Sequence, residues 1–179
     1  MATRIALLRG VNLGVNRRVA MADVRRVLAE AGFGEVRSLL QSGNLVFEAA
    51  KEADAAIETA VERALLDGLG LTTEVVVRTP AEWRAMIAAN PYPEEAKSDP
   101  GRLVAMAMKT SPQKDAEAQV NAIEGPERAR VIGREAFIYY PDGQADTKVA
   151  GGRLDKAMGA RGTARNWNTV LKLADLAGS

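Results

Sequence analysis

The chain has 179 residues, 47% of them hydrophobic and 26% charged, the usage of an ordinary globular protein of one or two domains. It has no cysteine and no histidine, which excludes disulfides, thiol nucleophiles, imidazole bases, Ser-His-Asp triads and the usual His/Cys zinc sites. The net charge is +1, too small for a uniformly basic nucleic-acid coat. That charge is unevenly spread: residues 1–50 carry +3, 51–100 carry −5, 101–150 balance, and 151–179 carry +3. If the fold brings the two ends together, one face becomes positive. No stretch approaches the ~20 apolar residues of a membrane span, and Ile5–Leu8 is too short for a secretory core of ~7–15 residues. The expected location is cytoplasmic, with no membrane partner.

The first half reads βαββαβ. Ile5-Ala6-Leu7-Leu8 is a short apolar run ending at Arg9-Gly10, the pattern of a buried strand. Met21, Val24, Val27, Leu28 and Ala31 follow at helical spacing, with Asp23 in the first turn, where the helix dipole favours it. Gly32 and Gly34 end that helix. Glu35–Leu40 and Asn44–Phe47 form two strands joined by Gln41-Ser42-Gly43, a hairpin signature. Ala53, Ile57, Ala60, Val61, Ala64 and Leu65 mark a second amphipathic helix, and Thr73–Arg78 is a valine-rich strand. This is the ferredoxin-like order. Thr79-Pro80-Ala81-Glu82 then opens a helix with a capping box and a proline at the first helical position. Residues 1–90 are expected as one ferredoxin-like unit, and the proline-rich segment 91–101 as a linker.

The second half, residues 102–179, restarts the pattern. Leu103–Met108 is a strand. Ser111-Pro112 leads into a helix bearing Ala116, Val120 and Ile123. Arg128–Ile132 and Ala136–Tyr140 flank a Gly133-Arg134 turn. Leu154–Met158 and Trp167–Leu176 read as helices, giving βαββ followed by C-terminal helices. The fold class is α+β: a duplicated ferredoxin-like unit with antiparallel sheets and helices on one face, without a residue-level repeat between the halves.

Three polar clusters stand out. The first, Arg9-Gly10-Val11-Asn12-Leu13-Gly14-Val15-Asn16-Arg17-Arg18, leaves a strand and enters a helix. Its glycines permit positive φ, and such loops aim N–H groups at the helix N-terminus, a natural anion seat. Neither the Walker nor the GxGxxG spacing is present. The second is Gln41-Ser42-Gly43-Asn44, where turn geometry accounts for all but Gln41. In a ferredoxin-like unit this hairpin is expected at the end of the sheet opposite the first cluster. The third is Thr163-Ala164-Arg165-Asn166-Trp167-Asn168-Thr169, just ahead of a helix. Helix capping explains its Thr and Asn residues but not Arg165, which the positive end of the dipole disfavours. Trp167 reads as a core anchor.

Leu7–Gly14, Gln41–Phe47 and Arg165–Val170 together resemble the three signatures of the bacterial family called domain of unknown function 1697. The chain departs from its usual first loop at Val15, where a second glycine is common, and at Ala20, where proline is common. The resemblance implies a small α+β protein with ferredoxin-like parts and no established activity.

The reading these residues favour is a binding module for a phosphate-bearing ligand, a nucleotide or nucleic acid. The candidate contacts are Arg9, Gly10, Asn12, Gly14, Arg17, Arg18, Gln41, Ser42, Asn44, Arg165, Asn166 and Asn168. Arginine forks suit phosphate oxygens. Single-stranded RNA on a sheet face would need several exposed rings, and the strands offer only Phe47, Phe137 and Tyr139. An enzyme would have to work with Lys148, Lys156, Asp146, Asp155, Tyr139 or Tyr140, and the sequence does not decide whether one is present. Asp142, Asp146 and Asp155 match no metal-loop spacing, so neither metal nor cofactor is expected. A third reading is a non-catalytic oligomer, because two four-stranded sheets leave edges on which a second copy could pair.

Overall fold

The computed structural model describes residues 1–13 and 18–178. Its elements fall into two units, residues 1–85 with 172–179 and residues 86–171. The first unit runs β1 (Ala2–Leu8), α1 (Met21–Glu30), β2 (Gly34–Leu39), β3 (Asn44–Ala49), α2 (Asp54–Leu69) and β4 (Val75–Arg78). The strands form one antiparallel sheet in the order β2-β3-β1-β4. Ala6, Leu8, Leu45, Phe47, Val75 and Val77 line one face of it. They pack with Val24 and Leu28 of α1 and Ile57, Val61 and Leu65 of α2, the apolar stripes that helical spacing marks out. Each such Val, Leu, Ile or Phe side chain contributes roughly 1.5–3 kcal/mol on burial. Helix α2 stops at Gly70, whose left-handed φ of 61° lets the Gly70 and Leu71 N–H groups return to the Leu66 and Leu65 carbonyls.

Strand β4 lies at the edge of this sheet, yet two of its outward N–H groups are taken. Val75 donates to Glu62 Oε1 at 2.8 Å and Val77 to Glu58 Oε1 at 2.9 Å. Glu58 and Glu62 are one turn apart on α2, and the two N–H groups are two residues apart on the strand, so the spacings match. The expected capping box then opens α3 (Pro80–Ala88): Glu82 N–H donates to Thr79 Oγ1 at 3.1 Å, and Thr79 N–H to Glu82 Oε2 at 2.8 Å. The segment 91–101 carries a short helix, α4 (Pro93–Ser98).

The second unit runs β5 (Leu103–Met108), α5 (Ala116–Asn121), β6 (Arg128–Ile132), β7 (Glu135–Tyr139), α6 (Gly151–Met158) and β8 (Gly162–Asn166), with α7 (Trp167–Leu176) following. Its antiparallel sheet has the order β6-β7-β5-β8. Here the edge strand β6 is covered by α5: Val131 N–H donates to Glu117 Oε2 at 2.8 Å and Ala129 N–H to Asn121 Oδ1 at 2.9 Å.

Strand β8 corrects the sequence reading, which runs from a helix into a helix cap at this point. The segment lacks apolar alternation for a physical reason. A Cβ on Gly162 would lie 2.4 Å from the Ala107 carbonyl oxygen, so β8 approaches β5 only because that residue has no side chain. The chain is thus α+β, with two four-stranded antiparallel sheets and seven helices among the described residues. No described helix is long and apolar enough to cross a membrane.

Candidate functional site

The first two polar clusters meet. Strands β1 and β3 are antiparallel with Leu7 opposite Asn44, so the start of β3 lies beside the end of β1. The hairpin tip therefore sits at the same end of the sheet as the loop leaving β1, not at the opposite end. Leu8 N–H donates to the Gly43 carbonyl at 2.8 Å. A Cβ on Gly43, whose φ is 80°, would lie 2.6 Å from Val11 Cγ2 and 2.7 Å from Leu8 Cβ. Glycine is required at this turn because the first cluster presses against it.

Asn12 joins these segments. Its own φ is 54°, a left-handed conformation that asparagine tolerates. Its Nδ2 donates to the Val19 carbonyl at 3.0 Å and to the Gln41 carbonyl at 2.5 Å, and its Oδ1 accepts the Val19 N–H at 2.7 Å. One amide thus ties the strand exit, the approach to α1 and the hairpin tip. Asn44 acts similarly within the turn. It is fully buried, and its Nδ2 donates to the Leu39 carbonyl and to Ser42 Oγ, both at 2.9 Å.

Arg9 lies against the start of β4. Its Nε is 3.9 Å from Glu74 Oε2, its N–H donates to the Glu74 carbonyl, and its carbonyl accepts the Thr73 hydroxyl at 2.8 Å. Gly10 follows with φ 65°. Arg18, Gln41 and Ser42 are exposed. Helix α1 begins at Ala20 without a side-chain cap. Gly14 and Arg17 lie outside the described residues. Exposed Leu13 and Leu40 border this end, and Leu40 holds φ 59°.

The third cluster belongs to the second unit, and Arg165, Asn166 and Trp167 have internal tasks. Arg165 is half-buried on β8 opposite Ala105, and its Nη1 donates to Thr163 Oγ1 at 2.7 Å and to the Ala164 carbonyl at 2.8 Å. Desolvation pulls its pKa below the ordinary arginine value. Asn166 caps α7, its Oδ1 accepting the Thr169 N–H at 3.0 Å. Trp167 is buried beside Phe137, with ring centroids 6.4 Å apart. Asn168 is exposed.

Of the three strand rings, the two phenylalanines are buried and closed to stacking on nucleic acid. Phe47 and Phe137 are at most 1% exposed, and Phe47 meets Phe33 edge-on at 4.9 Å. Tyr139 lies 5.3 Å from the Arg128 guanidinium, which also faces Tyr92 at 5.4 Å, and its hydroxyl donates to Asp99 at 3.0 Å. The Tyr140 hydroxyl donates to the Val149 carbonyl at 2.9 Å, and burial pushes its pKa far above the ordinary tyrosine value. Lys148 pairs with Glu124 at 2.5 Å. Among the described residues no three carboxylates gather as a metal site.

Sequence reasoning missed two features. At the end of sheet 1 opposite the loops, Arg4 Nε lies 3.3 Å from Asp54 Oδ1, and burial with the nearby Glu82 holds Asp54 above the usual carboxylate pKa against the pull of Arg4 and Arg78. At the loop end, a cavity of about 420 Å³ is lined by Arg18, Val19 and residues 69–72. The signal for it was the apolar-Gly-apolar run that ends α2.

A family described as a protein of unknown function (DUF1697) matches residues 1–137. The chain belongs to this family. The match ends before Arg165–Val170, so the first two clusters fall inside it and the third does not. Among solved structures, the chain is similar to a conserved bacterial protein of Streptococcus pneumoniae at 18% identity, with a TM-score of 0.72 and 98% of each chain covered. That likeness is one of fold. No curated protein matches the chain.

Proposed function

We propose that this protein is a binding module for a phosphate-bearing ligand, held at the loop end of the first sheet. The observation that carries the reading is the Asn12 amide, bonded to both Val19 and Gln41, which gathers Arg9, Arg18, Gln41 and Ser42 at one end. Arg18 is the principal cation in this reading, because it is exposed and lines the cavity at this end of the sheet. The uncapped start of α1 adds N–H groups of the sign a phosphate favours. Gly14 and Arg17 stay within the proposal as members of the same loop. Asn44, Arg165 and Asn166 leave it, since their side chains serve a turn, a strand and a cap. The frame is read as a duplicated ferredoxin-like unit; support comes from the shared βαββαβ element order and the matching strand orders, β2-β3-β1-β4 and β6-β7-β5-β8.

The test is a titration of the full chain with inorganic phosphate by calorimetry, with Arg18→Ala beside it. A charge-assisted contact is worth ~1.5–3 kcal/mol, so the variant should bind at least about tenfold more weakly. Affinity should also fall as salt rises. No phosphate binding, or binding that Arg18→Ala leaves unchanged, would end the reading.

A further inference from the structure

We infer that the cavity beside Arg18 seats the uncharged body of the ligand, which makes that ligand a phosphate monoester with a body of nucleoside size. This rests on the phosphate reading above and extends it to the part of the ligand that phosphate chemistry leaves open. The volume, about 420 Å³, lies in the range of small-molecule sites, roughly 300–1,000 Å³, and is far more than one phosphate fills.

The lining divides by chemistry. Val19, Leu69 and Leu71 supply apolar walls, and all three are themselves packed against the core of the unit, so the walls are fixed. Gly70 forms part of the lining with bare backbone, and a Cβ there would meet nothing within 4 Å, so the space above it is open. Thr72 adds a hydroxyl. Arg18 is the one charged side chain among the six lining residues.

The electrostatics orient the ligand. Residues 69–70 are the C-terminal end of α2, which carries the negative pole of the helix. A phosphate is repelled from that end and attracted to Arg18, so the body goes inward and the phosphate stays at the guanidinium. Val19 connects this cavity to the loop cluster, because both its N–H and its carbonyl are held by Asn12. The cavity wall and the hairpin tip are therefore positioned by the same side chain.

The probes are inorganic phosphate, adenosine monophosphate and adenosine, titrated into the full chain. The variants are Arg18→Ala and Thr72→Trp. Both sites are exposed, so the folded state should survive, and the thermal midpoint of each variant checks this. The nucleotide should bind at least about tenfold tighter than phosphate. Thr72→Trp, which fills the cavity, should erase that gain while leaving phosphate affinity unchanged, and Arg18→Ala should weaken both. If phosphate binds but the nucleotide binds no tighter, or Thr72→Trp leaves nucleotide affinity intact, the cavity inference fails and the proposed function stands. If phosphate does not bind, the proposed function fails. The phosphate-monoester inference, which rests on it, then fails as well.

Discussion

The two units each hold a four-stranded antiparallel sheet and differ in what they attach to it. In the first, the residue ending the lead strand, Leu8, donates its N–H to the hairpin tip at Gly43, and Arg9 N–H reaches Glu74 at the start of the last strand. In the second, Met108 N–H reaches Arg134 and Lys109 N–H reaches Arg161, in the same order along the chain. Both last strands carry, at or one residue before their end, an arginine that donates to the carbonyl just before it, Arg78 to Val77 and Arg165 to Ala164. Both arginines are followed by a cap that accepts an N–H three residues on, Thr79 from Glu82 and Asn166 from Thr169. The edge covers differ. Helix α2 covers β4, the last strand of its unit, whereas α5 covers β6, the outer strand of the hairpin. The loops differ too. Asn12 ties its loop to the hairpin tip, while Gln113 ties the corresponding loop to the end of α6, donating to the Ala157 carbonyl at 2.6 Å. The two sheets thus have matching strand orders, and each unit has its own side-chain equipment.

The largest effect should come from Gly162→Ala. Gly162 faces Met108 where Val75 faces Leu8 in the first unit. Val75 is a buried core residue, but a Cβ at Gly162 meets the Ala107 carbonyl oxygen at 2.4 Å. Moving backbone to relieve that clash should cost about 3 kcal/mol or more, at the upper end of overpacking effects. Urea denaturation measures it. A loss under about 1 kcal/mol would mean that the two strand pairs tolerate side chains equally.

Removing an edge cover ranks next. Glu58 is buried, so Glu58→Ala leaves the Val77 N–H without its carboxylate acceptor and should cost about 2 kcal/mol. Glu117 is half-exposed and water can replace it at Val131, so Glu117→Ala should cost about 1 kcal/mol or less. Amide exchange separates the two: protection at Val77 should fall more than at Val131. Equal losses would break the distinction between a buried and a wet cover.

A further small effect concerns Tyr140, whose N–H donates to the Arg102 carbonyl across the end of the second sheet, where the first unit has Ala49. Its hydroxyl holds Val149 on the long connection to α6. Its folded pKa is raised, so above about pH 10 the unfolded chain loses the phenolic proton while the folded one keeps it, and stability falls as pH rises. Tyr140→Phe should cost about 1 kcal/mol at neutral pH and flatten that alkaline decline. An unchanged slope would assign the decline to other groups.

Much of the frame was legible because its signals are local. The apolar run at Ile5–Leu8, the helical stripe through Val24 and Leu28, the Thr79–Glu82 box and the whole of β5 are each encoded within a few residues. Strand β8 was not, because Gly162 carries no apolar signal and Asn166 reads as the cap that it also is. The covers at Glu58 and Glu62 look like ordinary solvent-facing charge until β4 is laid beside α2. The meeting of Asn12 with Gln41 depends on which ends of β1 and β3 adjoin, and local spacing is silent on that. The first cluster was recognisable as unusual, but the walls at Leu69 and Leu71 were hidden in the tail of a helix.

The Asn12 amide has a mechanical consequence. With three bonds from one side chain, the approach to α1 and the hairpin tip move as a single piece. The freedom of both segments is surrendered when the chain folds and not when a guest arrives, so that end of the sheet is assembled in advance. Displacing Val19 would be felt at Gln41, twenty-two positions further along the chain, without any helix or strand having to shift.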